Sequence, residues 1–166
     1  MANQEQDKPT NVRPEGTPTM LGTIKNFAAT HLKRRPVEPP MALVVDDEEP
    51  VRRFVERALQ TGGYRTAGAG DGTEALEVAA KLGHFDILVT DVMMPKMTGD
   101  ELARRLRQTE AGLKVLYLTG FSDHLFKEKV TLWQDEAFLD KPCTIKALLQ
   151  AVSLLVHGRL GTDFAS

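Results

Sequence analysis

From Met41 onward the chain alternates short apolar runs with amphipathic stretches of helical period, a pattern that confines it to repeated βα units around a parallel sheet. The runs Ala42-Leu43-Val44-Val45, residues 85–89 and Val115-Leu116-Tyr117-Leu118 are dominated by apolar residues, as strands covered on both faces are, so these three are placed mid-sheet. Weaker strands are expected at residues 64–67 and 137–139, giving five in an open α/β sheet. The first helix shows one apolar face made by Val51, Phe54, Val55, Ala58 and Leu59. Pro50 suits its first turn, Glu48 and Glu49 favour its N-terminus, and Gly62-Gly63 stop it. The next two begin near Asp71-Gly72-Thr73-Glu74 and Thr98-Gly99-Asp100-Glu101, both of which read as capping boxes. A further helix is expected over about residues 122–132. A fifth, opened by Thr144, sets Ile145, Leu148, Leu149, Val152, Leu155 and Val156 on one stripe and ends at Gly158.

A chain of 166 residues that is 42% hydrophobic suffices for one substantial core, so one domain is expected over residues 41–158. Residues 1–40 hold six of the nine prolines among Asn, Gln, Thr and Lys and read as a mostly disordered leader. Within it, Leu21, Ile24, Phe27, Ala28 and Leu32 recur at helical spacing. This is compatible with a short amphipathic helix under a partner or with a solvated tail, short isolated helices being marginal in water. Residues 159–166 are expected to be a flexible tail too short for an output domain. A net charge of −2 gives no global attraction to nucleic acid or to an anionic membrane. Cys143, the single cysteine, allows no disulfide framework and fits a reducing compartment. With no apolar stretch behind the polar residues 1–9 and no run of membrane-spanning length, a cytoplasmic protein is expected.

Ligands of an open parallel sheet bind beyond the carboxyl ends of its strands. There the first strand presents Asp46-Asp47, the third Asp91, the fourth Thr119 and the fifth Asp140-Lys141-Pro142. Clustered carboxylates raise one another's pKa unless a cation sits among them, and oxygen ligands with room for water and a phosphate oxygen suit Mg2+. Lys141 can neutralise a phosphoryl oxygen while Thr119 donates to another, an assembly suited to phosphoryl transfer onto a carboxylate. Each residue alone has a plainer role: Asp46 or Asp47 as a helix N-cap, Asp91 as a turn residue before Pro95, Thr119 as a strand-end hydroxyl, and Lys141 as a surface charge. What those roles leave unexplained is the convergence of four strand ends on one rim.

At these residues the sequence resembles the receiver domains of two-component response regulators. The resemblance is carried by Leu43-Val44-Val45-Asp46-Asp47-Glu48, the run from Asp86 to Pro95, Thr98-Gly99, Leu118-Thr119-Gly120 and Asp140-Lys141-Pro142, and it spans residues 41–158. It implies a doubly wound, flavodoxin-like α/β fold of five strands, in the order 2-1-3-4-5, with five helices. It also implies that Asp91 is the phosphoacceptor, supplied by a histidine kinase or a histidine phosphotransfer protein, and that Mg2+ is held by Asp46, Asp47, Asp91 and the Met93 carbonyl. Thr119 and Lys141 would hold the phosphoryl group, and the Lys141-Pro142 bond would be cis. The switch would couple Thr119 to Phe138, the aromatic three residues before the lysine; lacking a hydroxyl, Phe138 would act through packing. The responding surface would be the 122–132 helix, the fifth strand and the last helix, with an unidentified downstream protein as target and dimerisation through those helices left open. Bulky Met93 and Phe121 beside the acceptor and the hydroxyl would slow self-dephosphorylation.

Two other classes compete with this one. Phosphatases and phosphotransferases with an Asp nucleophile on a similar sheet usually carry a second Asp two residues later, where this chain has Met93, so catalysis is expected only of the protein's own phosphorylation and dephosphorylation. A docking adaptor that uses the fold without phosphorylation is the alternative. Arg104, Arg105 and Arg107 on one helix are expected to be an exposed, solvated face, since no DNA-reading motif accompanies them.

Overall fold

The computed structural model describes residues 38–120 and 135–158. The expected leader and its short helix, the 122–132 helix, Phe121 and the 159–166 tail lie outside the described residues. Five strands follow in order: β1 (Met41–Val45), β2 (Arg65–Ala69), β3 (Ile87–Asp91), β4 (Lys114–Thr119) and β5 (Glu136–Asp140). Four helices accompany them among the described residues: α1 (Glu49–Thr61), α2 (Gly72–Leu82), α3 (Gly99–Leu106) and α4 (Ile145–His157). The sheet is parallel throughout, in the order β2-β1-β3-β4-β5, so the chain reverses its direction of winding after β2 and opens a crevice between the ends of β1 and β3.

Side-chain alternation along the central strands builds two cores. Leu43, Val45, Leu88, Val115 and Tyr117 face α2 and α3, where they meet Ala75, Ala79, Leu102 and Leu106. Ala42, Val44, Ile87, Val89, Leu116 and Leu118 face α1 and α4 and pack on Val55, Leu59, Leu148, Leu149 and Val152. The three runs placed mid-sheet are therefore mid-sheet. No helix among the described residues is long and apolar enough to cross a membrane.

Several local expectations need correction. The third strand begins at Ile87 and not at residue 85, because Asp86 turns its carboxylate to accept from the Met41 amide at 2.7 Å. The second lies two residues further along than 64–67 at its far end, closing at Ala69. The expected box at Thr98–Glu101 does not form: the Thr98 hydroxyl donates to the Asp100 carboxylate, and Glu101 pairs with Arg105 one turn on. At Asp71 the cap is present, accepting from Glu74 N at 2.8 Å, but Glu74 reaches back to Gly70 N and not to the cap residue itself. Phe54 and Ile145 lie on the expected apolar faces, yet they are 39% and 47% exposed and flank a shallow depression between α1 and α4. Their helices present an apolar stripe wider than the face each one packs.

Candidate functional site

The carboxyl edge of the sheet collects the expected residues. Asp46 follows β1 directly and is fully buried; its Oδ1 accepts from Glu48 N at 2.9 Å, which shapes the turn into α1. It is not the helix N-cap, a position held by Glu48 without a side-chain cap bond. Asp47 beside it is exposed. Asp91 is the last residue of β3 and only 6% exposed, with Oδ1 accepting from Val92 N at 2.9 Å. One carboxylate oxygen from each of Asp46, Asp47 and Asp91 lies within 4.8 Å of the others.

Lys141 supplies the counter-charge. Its Nζ stands 2.9 Å from Asp46 Oδ2 and 3.1 Å from Asp91 Oδ1. The bond that carries it into Pro142 is cis. Burial raises the Asp91 pKa above the carboxylate norm, with the negative Asp46 adding to the rise and the Lys141 ammonium only partly opposing both. Burial works against the Lys141 ammonium too, but bonding to Asp46 and the charges of Asp46 and Asp91 outweigh it and hold the lysine pKa above its usual value. Among the described residues a single ammonium thus serves two buried carboxylates, with an exposed third alongside. Hard oxygen donors, short of positive charge and partly open to solvent, fit Mg2+ with retained waters.

Thr119 ends β4 fully buried, and its hydroxyl donates to Asp140 Oδ1 at 2.9 Å. Phe138 is half-buried and tilts against Tyr117, ring centroids 5.2 Å apart. Met93 is 55% exposed in the loop that follows β3, one residue beyond the buried Val92.

Three contributors escaped the sequence reading or were quoted there without a role. The Arg52 guanidinium donates to the Asp46 carbonyl at 2.7 Å and so braces the acidic turn. Gly99 donates its amide to the Val92 carbonyl at 2.9 Å, and a Cβ there would collide with the Asp91 carbonyl oxygen and press on Thr90 Cγ2 at 3.0 Å. Asp140 receives Thr119. The glycine was legible as part of a motif, but the Arg52 and Asp140 contacts depend on register and helix phase. Arg107 corrects an expectation: it is not part of an exposed face, for its side chain is 21% exposed and pairs with the buried Glu136 at 2.6 Å. Glu136 also accepts from the Tyr117 hydroxyl at 3.1 Å.

Fold and site together define a flavodoxin-like α/β protein with a cluster of three carboxylates at its topological switch point. The chain belongs to the response regulator receiver domain family, whose model matches residues 42–153. It is 40% identical to the sensor kinase CckA of Brucella abortus over 116 residues, 69% of this chain but 12% of that protein. It is 31% identical to the response regulator receiver protein CpdR of the same organism over 114 residues, 69% of this chain and 94% of that one. Against several other curated response regulators, the matching region spans only about half of their length. Among solved structures, the Thermotoga maritima response regulator TrrA in complex with Mg2+ and BeF matches with a TM-score of 0.61 at 30% identity, covering 70% of this chain and 98% of that one.

Proposed function

We propose that this protein is a signalling switch that accepts a phosphoryl group on Asp91 from a phosphohistidine of a histidine kinase or phosphotransfer protein. The observation that carries this reading is the Lys141 ammonium bridging Asp46 and Asp91 on the edge where β1 and β3 diverge. Asp91 Oδ attacks phosphorus, the P–N bond breaks, and the electron pair returns to the departing imidazole. Lys141 then exchanges its hold on the Asp91 carboxylate for one on a phosphoryl oxygen, and Thr119 donates to another. Asp46, Asp47 and Asp91, with the Met93 carbonyl, would hold Mg2+, which supplies charge neutralisation at the transferring oxygens. The relatives named for CckA and CpdR place the chain among two-component proteins, and the TrrA complex with Mg2+ and BeF supports the cofactor.

The reaction ends on the protein itself, so the only catalysis is its own phosphorylation and dephosphorylation. The new group brings about 1.5 to 2 negative charges, enough to bias a two-state surface that a downstream protein completes by binding. We place this activity in the cytoplasm, consistent with the lone Cys143 thiol. Incubation with a purified phosphotransfer protein labelled on histidine should move the label to this chain in a Mg2+-dependent reaction, and Asp91→Asn should abolish the transfer. A label that never leaves any competent donor, with the receiver folded, would favour the phosphorylation-independent docking adaptor.

A further inference from the structure

The Thr119 hydroxyl is committed in this structure. It is fully buried, carries one hydrogen to donate, and directs that hydrogen to the carboxyl oxygen Asp140 Oδ1 at 2.9 Å. The same two residues are register partners at the last rung of the β4–β5 ladder, and the Lys141 amide pins the Thr119 carbonyl at 2.7 Å. The backbone at this point is therefore held, and a change in what Thr119 binds falls on its side chain. Leu118, one residue earlier, is the register partner of Asp91, so the hydroxyl sits a single step from the acceptor's own rung. Immediately below it on the same face, Tyr117 pairs with Phe138.

Resting on the phosphoacceptor reading above, we propose that Asp140 is a positioning residue that latches Thr119 in the unphosphorylated state. A phosphoryl oxygen on Asp91 can recruit the Thr119 hydrogen only by taking it from Asp140 Oδ1, one oxygen acceptor replacing another. Asp140 is itself exposed, so its carboxylate keeps access to water when the hydroxyl leaves, and the latch opposes switching without forbidding it. Tyr117 and Phe138 form the next same-face pair of the β4–β5 ladder, which links the latch to the aromatic. Asp140 therefore sets how much of the phosphorylation energy is spent before the surface responds.

The test is calorimetric affinity for beryllofluoride with saturating Mg2+, measured on the full chain and on D140A, D140N, T119V and T119V/D140A. The latch requires D140A to bind about three- to tenfold more tightly than the unmodified protein, with D140N, which keeps a weaker acceptor, in between. It also requires that D140A give no gain in the T119V background. In the absence of beryllofluoride, the Thr119 methyl carbon resonance should shift toward averaged rotamers in D140A. D140A and D140N equal to the unmodified protein, or an undiminished gain in T119V from simple removal of charge, would overturn the latch while leaving the acceptor reading intact. Failure of the unmodified protein to bind beryllofluoride would overturn both.

Discussion

Lys141 Nζ lies 2.9 Å from Asp46 Oδ2 and thereby joins residues 95 positions apart across the carboxyl edge of the sheet. The contact closes only because β5 and β1 stand in the same parallel sheet, separated by β3 and β4, with their carboxyl ends on one side. A bound Mg2+ would share with Lys141 the neutralisation of one set of charges.

That relationship makes Lys141→Met informative. The ammonium gone, Asp46 and Asp91 face each other uncompensated, so the metal-free variant should melt below the unmodified protein. Added Mg2+ should raise its Tm by more than it raises that of the unmodified protein, since it replaces the missing cation. Differential scanning fluorimetry across a Mg2+ titration measures both shifts; an equal or smaller metal response in the variant would contradict the shared-charge account.

Asp91→Asn should stabilise the metal-free protein, with a definite dependence on pH. Burial raises the Asp91 pKa in the folded state, so its protonated form favours folding. That favourable contribution is complete below the unfolded value of about 3.9 and is lost as pH rises through the folded pKa. Asparagine suffers no such loss. The variant's Tm advantage should be absent near about pH 3.5 and present near about pH 7.5.

Gly99→Ala should cost about 1–3 kcal/mol in urea unfolding, the usual range for overpacking. Its methyl collides with the Asp91 carbonyl and with Thr90, so relief moves the end of β3. Loss of stability should be accompanied by weaker Mg2+ binding. Gly112→Ala, where an added Cβ meets nothing within 4 Å, is the control that should change neither.

Arg107→Met should destabilise by about 2–4 kcal/mol, because the Glu136 carboxylate, 2% exposed, loses a cation at 2.6 Å. Adding Glu136→Gln in the same chain should recover part of that loss, since a neutral amide keeps an acceptor for the Tyr117 hydroxyl. Chemical denaturation of the single and double variants measures the recovery, and a double variant weaker than Arg107→Met alone would show that the charge is not what costs.

The fold was legible because its signals were redundant. Apolar runs such as Ala42-Leu43-Val44-Val45 could only be covered strands, and the strand-end residues Asp46, Asp91, Thr119 and Lys141 were fixed once those strands were placed. Edges were less legible: β2 reads Arg-Thr-Ala-Gly-Ala, half-buried and weakly apolar, so its far end could not be read from hydrophobicity. The site's supports depend on which distant groups meet. Nothing local distinguishes Arg107, whose partner is on β5, from Arg104, which remains exposed, and nothing local joins Thr119 to Asp140. Capping sequences misled at Thr98 because Asp100, two residues on, competes for the same hydroxyl.

The most direct measurement is intact mass after incubation with acetyl phosphate, with Mg2+ or with a chelator, beside the Asp91→Asn variant. One phosphoryl adduct should form that needs Mg2+, is cleaved by hydroxylamine and is absent from the variant. An adduct that persists in Asp91→Asn, or a folded protein that acquires none from any competent donor, would contradict Asp91 as the phosphoacceptor.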